Sequence, residues 1–184
     1  MKENRMTRRI VYVALLAALV YVATMLEFPL LGSKVRLANS VSLLGGLLLP
    51  PAFAGLAAGL GSMLYDIQHG YGLECLVTFV SKFLMVYVAG RLAFSAQRCA
   101  ENRRWNVFAC TVGAWTYVAL YMLKTFVFQR FVYGFPLDAV WATMLSKFPA
   151  SAINAVAAMI ITPLLYEALR PALKSSGQLD AMRV

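Results

Sequence analysis

The chain has 184 residues, of which 61% are hydrophobic and only 14% are charged, and its mean hydropathy is +0.69. A soluble domain carries about 25% charged residues, so this composition argues against a soluble protein and favours one built inside a lipid bilayer. The formal net charge is +9, but the basic residues lie between apolar runs and form no continuous patch, which argues against nucleic acid as a partner.

Apolar runs bounded by charges or turn residues predict six transmembrane helices, at about residues 10–28, 37–49, 52–66, 73–95, 106–129 and 138–168. The predicted fold class is therefore an all-α integral membrane protein with a single domain over residues 1–184. The first run follows the basic segment MKENRMTRR, exceeds the length of a signal-peptide core and lacks a small-residue cleavage site. We expect it to be retained as the first helix.

The second and third helices are separated only by Pro50 and Pro51, and one continuous helix over 37–66 is the alternative. Two successive prolines disfavour that helix, because their rings clash with the preceding turn and remove backbone donors. Six spans also put most Lys and Arg residues on the side of the N terminus, as cytoplasmic loops require, whereas five spans lose this asymmetry. We predict a multi-pass plasma-membrane protein with both termini cytoplasmic. The predicted cytoplasmic set is Lys2, Arg5, Arg8, Arg9, Arg91, Arg98, Arg103, Arg104, Arg170, Lys174 and Arg183, and the predicted outer set is Lys34, Arg36 and Arg130.

Three lysines, Lys82, Lys124 and Lys147, lie inside the predicted spans. A charged side chain at the centre of a bilayer costs roughly 2.5–3.5 kcal/mol on insertion scales, so such a residue indicates a functional site. The alternative is that these lysines pair with acidic residues near the outer boundary or extend toward the membrane surface, and Lys124 is the best candidate for the latter. The acidic residues near that boundary are Asp66, Glu74 and Asp138.

Polar side chains share a helix face with each of these lysines, because positions three, four and seven apart lie on one side of a helix. The three stripes are Thr78 with Lys82, Tyr117 with Tyr121 and Lys124, and Thr143 with Lys147, Ser151 and Asn154. All three lysines fall in the outer halves of their predicted helices. The pattern predicts a cavity for a small polar solute, and Trp141 either stacks on that solute or belongs to the interfacial aromatic belt.

Motifs for metal binding and catalysis are missing from the sequence. Cys75, Cys99 and Cys110 form no C-x-x-C pair, and His69, the single histidine, falls in a predicted loop, so we expect neither a metal site nor a cofactor. No G-x-x-x-x-G-K-[ST] loop is present, so the chain is not itself an ATPase. An intramembrane hydrolase needs a base beside its serine, and none is visible. We do not expect an enzyme.

Small residues recur at helical spacing in two predicted helices, as Ala14-x-x-x-Ala18 and Gly55-x-x-x-Gly59. Such patterns let helix backbones approach closely within a membrane. For the glycines we expect packing inside the bundle. The alanines of the first helix are a candidate surface for an external partner.

The segment VRLANSVSLLGGLLLPPAFAGLAAGLGSMLYD (35–66), followed by a helix containing Ser81-Lys82, resembles the substrate-binding S components of energy-coupling factor (ECF) vitamin transporters. The resemblance is to the riboflavin-type and hydroxymethylpyrimidine/pyridoxine-type group. It implies a six-helix protein that captures a water-soluble vitamin from outside and associates with a transmembrane T component and two cytoplasmic ATPases. It also implies that the loaded bundle reorients in the membrane.

Residue roles follow from the same resemblance. In this family an A-x-x-x-A pattern on helix one contacts the T component, and Ala14 and Ala18 match it. The ligand is held by the first outer loop and the outer halves of helices four to six. The candidate substrate-binding residues are Arg36, Asn39, Glu74, Lys82, Tyr121, Lys124, Trp141, Lys147 and Asn154.

The chain departs from the family pattern at one position. Pro50-Pro51 replaces a glycine-containing turn common among relatives, and the identity of the vitamin does not carry over. A stand-alone ion-coupled secondary transporter is the alternative function, although no inverted repeat is visible.

Overall fold

A computed structural model describes residues 2–30, 33–95 and 99–183, with side chains for 6–27, 36–95 and 99–183. The basic side chains of Lys2, Arg5, Lys34 and Arg98, which enter the predicted charge asymmetry, lie outside the described residues. The helices are α1 Lys2–Met25, α2 Ala38–Leu48, α3 Pro51–Gln68, α4 Glu74–Ala93, α5 Arg103–Val127, α6 Leu137–Ser175 and α7 Gln178–Arg183. Two antiparallel strands, β1 Glu27–Leu30 and β2 Ser33–Arg36, join α1 to α2, and a π-helical turn at Phe128–Val132 extends α5.

The predicted helical class is confirmed, with the β1–β2 hairpin as an element that the sequence did not predict. The helix bounds also differ from the expected ones. Helix α1 begins at Lys2 rather than near residue 10, and α6 continues to Ser175 rather than ending near residue 168. Hydropathy detects the part of a helix that is apolar, whereas a helix can continue into polar sequence beyond it.

The proline pair separates α2 from α3. Helix α2 ends at Leu48, Pro50 has an extended backbone with ψ 142°, and α3 begins at Pro51. Proline fits the first helical position because the amide hydrogen that it lacks has no partner there. The alternative of one continuous helix over 37–66 is therefore wrong.

The connections between the helices fall at two ends of the bundle. We call the first the hairpin end, which holds the β1–β2 hairpin, the α3–α4 turn at 69–73 and the α5–α6 loop at 133–136. We call the second the basic end, which holds the start of α1, the turn at Pro50, the start of α5 and α7. Ion pairs Arg103–Glu167 and Arg170–Glu101 lie at the basic end.

The core of the bundle surrounds α2, which packs against α1, α3, α4, α5 and α6. Leu43 and Leu47 of α2 are fully buried, and they pack with Met85 and Val86 of α4 and with Cys110 of α5. Although α2 has only 11 residues, its central position buries nearly all of them. A short helix is stable here because its neighbours supply the packing on every side.

Glycines allow α3 to approach its neighbours closely. A side chain at Gly61 would place a Cβ atom 2.4 Å from the carbonyl oxygen of Ala17 in α1, which leaves no room for one. Cβ atoms at Gly55 and Gly59 would lie 2.9 Å and 2.7 Å from the rings of Phe83 and Phe79 in α4. The Gly55-x-x-x-Gly59 pattern thus serves packing within the bundle, as the sequence indicated.

Four helical segments are long and apolar enough to cross a membrane by length and composition. They are Met6–Met25, Glu74–Ala93, Arg103–Val132 and Leu137–Ser175, and Ala38–Leu48 is a shorter apolar helix. Large apolar side chains on the outer surface, such as Leu15, Leu145 and Ile160, are more than half exposed. Such a surface is typical of a protein surrounded by lipid.

Candidate functional site

A polar cavity of about 360 Å³ opens at the hairpin end of the bundle. Residues from α1, β2 and α2 to α6 line it, together with the α3–α4 turn. The lining residues are Thr24, Arg36, Ala38, Asn39, Ser62, Asp66, Tyr71, Glu74, Thr78, Ser81, Lys82, Tyr117, Tyr121, Lys124, Lys147, Ser151 and Asn154. Donors and charged groups thus converge from helices that are far apart in the sequence.

Lys82 lies deep in this cavity, with a side chain only 5% exposed. Its ammonium donates a hydrogen bond to the side-chain oxygen of Asn39 and lies 4.5 Å from the ring centroid of Tyr117. The negative charge of Asp66 favours this ammonium, whereas the positive charge of Arg36 opposes it. A buried ammonium needs such partners, and these contacts hold it in place at the cavity wall.

Arg36 is positioned by the hairpin register, which places Glu27 directly opposite it. Two guanidinium nitrogens contact one carboxylate oxygen of Glu27, at 3.0 Å and 2.8 Å, and the guanidinium carbon lies 5.1 Å from the ring centroid of Tyr65. Burial disfavours the charge of Arg36, but the hydrogen bond and negative charge of Glu27 outweigh it and raise the pKa of Arg36. The backbone amide of Arg36 also donates to the side-chain oxygen of Asn154 at 2.8 Å.

A second charged group lies nearer the mouth of the cavity. The ammonium of Lys124 lies 2.7 Å from a carboxylate oxygen of Glu74, and both side chains are largely buried. The hydroxyl of Tyr133 donates to the other carboxylate oxygen at 3.0 Å. Glu74 also interacts electrostatically with Lys147. Lys124 therefore lines the cavity and forms an ion pair there. It does not simply extend toward the membrane surface, which was the alternative expectation.

The aromatic wall differs from the expected one. Tyr117 and Tyr121 of α5 lie nearly parallel, with ring centroids 6.2 Å apart, and both line the cavity. Trp141 does not: its side chain is 59% exposed and lies in a separate apolar groove with Met122 and Phe148. Six residues separate Trp141 from Lys147, so the two side chains project from different faces of α6. The structure thus places Trp141 outside this cavity, in a position that fits the alternative of an interfacial aromatic residue.

Several residues that line the cavity were not predicted from the sequence. Ser62 and Asp66 of α3 continue the stripe of Gly55 and Gly59, which the sequence analysis assigned to packing. The hydroxyl of Ser62 is buried and has no hydrogen-bond partner among the described residues. One face of a helix can pack closely against its neighbours in one segment and line a cavity in the next. The position of Ser62 and Asp66 on the same face as Gly55 and Gly59 was therefore the signal that could have identified them.

Ala14 and Ala18 lie on the surface of α1 that faces away from the bundle. Ala17 and Ala23 of the same helix are buried against neighbouring helices. The exposed alanines are flanked by exposed large side chains, including Leu15 and Leu19. This surface is therefore apolar, and it carries two small side chains one helical turn apart that leave room for a neighbouring helix.

Comparisons with known proteins agree with this architecture. A family model described as "ECF-type riboflavin transporter, S component" matches residues 4–171. A solved structure, described as "Structure and mechanism of the S component of a bacterial ECF transporter", superposes with a TM-score of 0.65 and covers 92% of this chain and 99% of its own, at 17% sequence identity. At that identity the likeness establishes the fold alone. No curated protein matches the chain.

The match of the family model over nearly the whole chain confirms the family predicted from residues 35–66 and Ser81-Lys82, and it fits the expectation that the protein is not an enzyme. Together with the apolar helices, it confirms a multi-pass plasma-membrane protein of vitamin transport. This chain belongs to the family of ECF-type riboflavin transporter S components, the substrate-binding subunits of ECF transporters.

Proposed function

We propose that the cavity at the hairpin end captures a vitamin or vitamin precursor from outside the cell. The observation that carries this proposal is the convergence of Lys82, Lys124 and Lys147, with Arg36, on one cavity of about 360 Å³. Cations inside apolar helices are costly, and a shared solute-binding site explains why three different helices carry them. Cavities of this size suit small molecules.

Each part of the cavity has a distinct role in this proposal. Lys82 and Asn39 bind polar edges of the solute deep in the cavity, whereas Lys124, Lys147 and Glu74 contact it near the mouth. The faces of Tyr117 and Tyr121 supply flat contact area. Arg36 and Asn154, joined by the hydrogen bond between the Arg36 amide and the Asn154 side chain, connect the hairpin to α6 and shape the entrance.

Six membrane spans with cytoplasmic termini form the second part of the proposal. Arg8, Arg9, Arg91, Arg103, Arg104, Arg170, Lys174 and Arg183 lie on elements that meet at the basic end. The positive-inside rule assigns that end to the cytoplasm, so the cavity opens outward. In a cysteine-free background, an impermeant maleimide applied to intact cells should label Val132→Cys at the hairpin end and leave Ser176→Cys unlabelled. The reverse pattern would contradict this orientation.

The chain would deliver its solute to an ECF T component and two cytoplasmic ATPases. The exposed surface around Ala14 and Ala18 is the proposed contact with the T component, because shallow residues admit a second helix. Co-purification of the chain with both ATPases, and solute uptake that needs ATP, are the expected results. Proton- or sodium-driven uptake by the chain alone would instead support a secondary transporter.

The capture function itself can be tested directly. The chain is purified in mild detergent, and mass spectrometry identifies small molecules released on denaturation. We expect one vitamin-like species at near-stoichiometric amount in the wild type, and its loss from Lys82→Ala. Equal occupancy of the wild type and the variant would contradict a role for this cavity.

A further inference from the structure

The charges around the cavity are unevenly paired. Among the described residues, four cations line it, Arg36, Lys82, Lys124 and Lys147, but only two carboxylates, Asp66 and Glu74. A third carboxylate, Glu27, pairs with Arg36. If Asp66 is assigned to Lys82 and Glu74 to Lys124, one cation has no carboxylate of its own.

The excess positive charge lies near the mouth. Lys124 and Lys147 both act on Glu74, but only Lys124 contacts it, at 2.7 Å. Neither Lys147 nor Lys82 has a carboxylate within 4.0 Å among the residues that the structure describes. The ammonium of Lys82 is instead held by Asn39 and the ring of Tyr117, and no comparable contact is found for Lys147 among those residues. Its side chain is half-buried and lines the cavity together with Ser151 and Asn154 of the same helix. An anion placed beside Lys147 would therefore gain a charge-assisted contact with little competition.

The deep part of the cavity has a different character. The hydrogen-bond partner of Lys82 is the neutral Asn39, and the carboxylate of Asp66 supplies the nearby negative charge. Ser62, which is 2% exposed, adds a hydroxyl with no hydrogen-bond partner among the described residues. These groups suit a neutral part of a solute that both donates and accepts hydrogen bonds.

The two parts are separated along α4 by the distance between Glu74 and Lys82. Eight residues of helix correspond to about 12 Å. This backbone spacing lets the two parts contact chemically different portions of one solute.

We propose that the captured solute is anionic, with a carboxylate or phosphate held by Lys147 and Lys124 near the mouth and a neutral hydrogen-bonding body held by Lys82, Asn39 and Ser62 below. This inference rests on the proposed capture function and specifies its substrate class. The charge balance carries it: a neutral solute would leave the ammonium of Lys147 without a counter-charge in a half-buried site.

Matched pairs of solutes test the inference. Binding to the purified chain is measured by equilibrium dialysis for riboflavin against riboflavin 5′-phosphate, pyridoxine against pyridoxine 5′-phosphate, and nicotinamide against nicotinate. In the pair that matches the site, we expect the anionic member to bind roughly 10- to 100-fold more tightly, as expected for a charged hydrogen bond. The first two pairs report on phosphate and the third on carboxylate.

Two variants separate a specific anion site from general attraction to a basic protein. Lys147→Gln should remove the preference for the anionic member while the protein keeps its melting temperature. Arg130→Gln is the matched control, because Arg130 is an exposed cation beside the hairpin end that does not line the cavity. It should leave the preference unchanged.

Several outcomes would overturn the inference without affecting the capture function. These are equal or tighter binding of the neutral members, an unchanged preference in Lys147→Gln, or a co-purified ligand that has no acidic group. If no probe binds, the chemical structure of the co-purified ligand tests the inference: an acidic group in that ligand supports it, and the absence of one contradicts it. Failure of every probe together with no co-purified small molecule would contradict the capture function itself.

Discussion

Ion pairs at the two ends of the bundle lie in different surroundings. At the basic end, Arg103 pairs with Glu167 with 68% and 35% of their side chains exposed. At the hairpin end, Lys124 pairs with Glu74 with only 13% and 26% exposed. Exposed pairs contribute little to stability and chiefly mark which side of the membrane a loop occupies. The largely buried pair instead lines the cavity, where it can contact a bound solute.

Helix α2 shows the same contrast within 11 residues. Its second half supplies Leu43 and Leu47 to the close-packed core, whereas its first half places Asn39 in the cavity wall. The hydroxyl of Thr162 in α6 donates to the backbone oxygen of Ser40 at 3.1 Å, which ties the two helices together between these regions. A rigid apolar region thus supports polar groups that must hold fixed positions.

The largest expected effect is on solute binding at the hairpin end. Lys82→Met keeps most of the side-chain volume but removes the ammonium that contacts Asn39 and Tyr117. We expect binding of the co-purified solute to weaken by about 100-fold, because a charged hydrogen bond in a deep site is lost. Stability should be unchanged or higher, since a buried charge is removed.

Equilibrium dialysis and a thermal melt measure these two effects of Lys82→Met. Lys174→Met is the matched control, because Lys174 is an exposed lysine at the basic end. It should change neither quantity. A binding loss of similar size in both variants would contradict the proposal that solute binds at the hairpin end and not at the basic end.

The next effect is on the packing that joins the two ends. Gly61→Val would place a side chain within 2.4 Å of the backbone oxygen of Ala17, so α1 and α3 must move apart. We expect a loss of about 2–3 kcal/mol of stability, measured by unfolding in detergent. Ala52→Val, on an exposed position of the same helix, should have almost no effect. Equal stability of the two variants would show that the close α1–α3 approach is not needed.

A smaller effect is expected on the exposed face of α1. Ala14→Trp fills a shallow position on the proposed contact with the T component. Uptake by cells should fall about tenfold, as expected when about 1.4 kcal/mol of partner affinity is lost, whereas solute binding to the purified chain should be retained. Leu164→Trp, at an exposed position of α6, is the control. Normal uptake with Ala14→Trp would argue against this contact surface.

The smallest effect is expected from the ion pair at the basic end. Arg103→Gln removes the ion pair with Glu167, in which the Arg103 Nε and Glu167 Oε1 atoms lie 3.0 Å apart at the surface. Stability should fall by less than about 0.5 kcal/mol, and solute binding should not change. A larger loss in an unfolding experiment would show that the basic end has a structural role that its exposure does not indicate.

Much of the architecture could be predicted from sequence patterns. Apolar run lengths predict helices because a membrane span needs about 20 apolar residues. The break at Pro50-Pro51 could be predicted because proline restricts its own backbone. Residues 35–66 and Ser81-Lys82 also carry enough of the family pattern to identify it. All of these signals are local, so neighbouring residues are sufficient to interpret them.

The composition of the cavity could be predicted only in part. Helical spacing correctly groups Lys147 with Ser151 and Asn154, but it does not determine how far α6 is rotated relative to α5. The position of Trp141 outside the cavity, by contrast, follows from its six-residue separation from Lys147 within α6. The pairing of Lys124 with Glu74 depends on the packing of α5 against α4, and a single helix pattern could not distinguish it from extension toward the surface.

Composition, helix periodicity and motif spacing depend on near neighbours, so they were sufficient to predict that this chain is helical, apolar and a member of the S-component family. Three features required the packed structure: which cations share a carboxylate, which serine hydroxyl has no hydrogen-bond partner among the described residues, and which alanines face outward. Those features depend on how helices distant in the chain are rotated and paired. Close packing around α2 sets that arrangement.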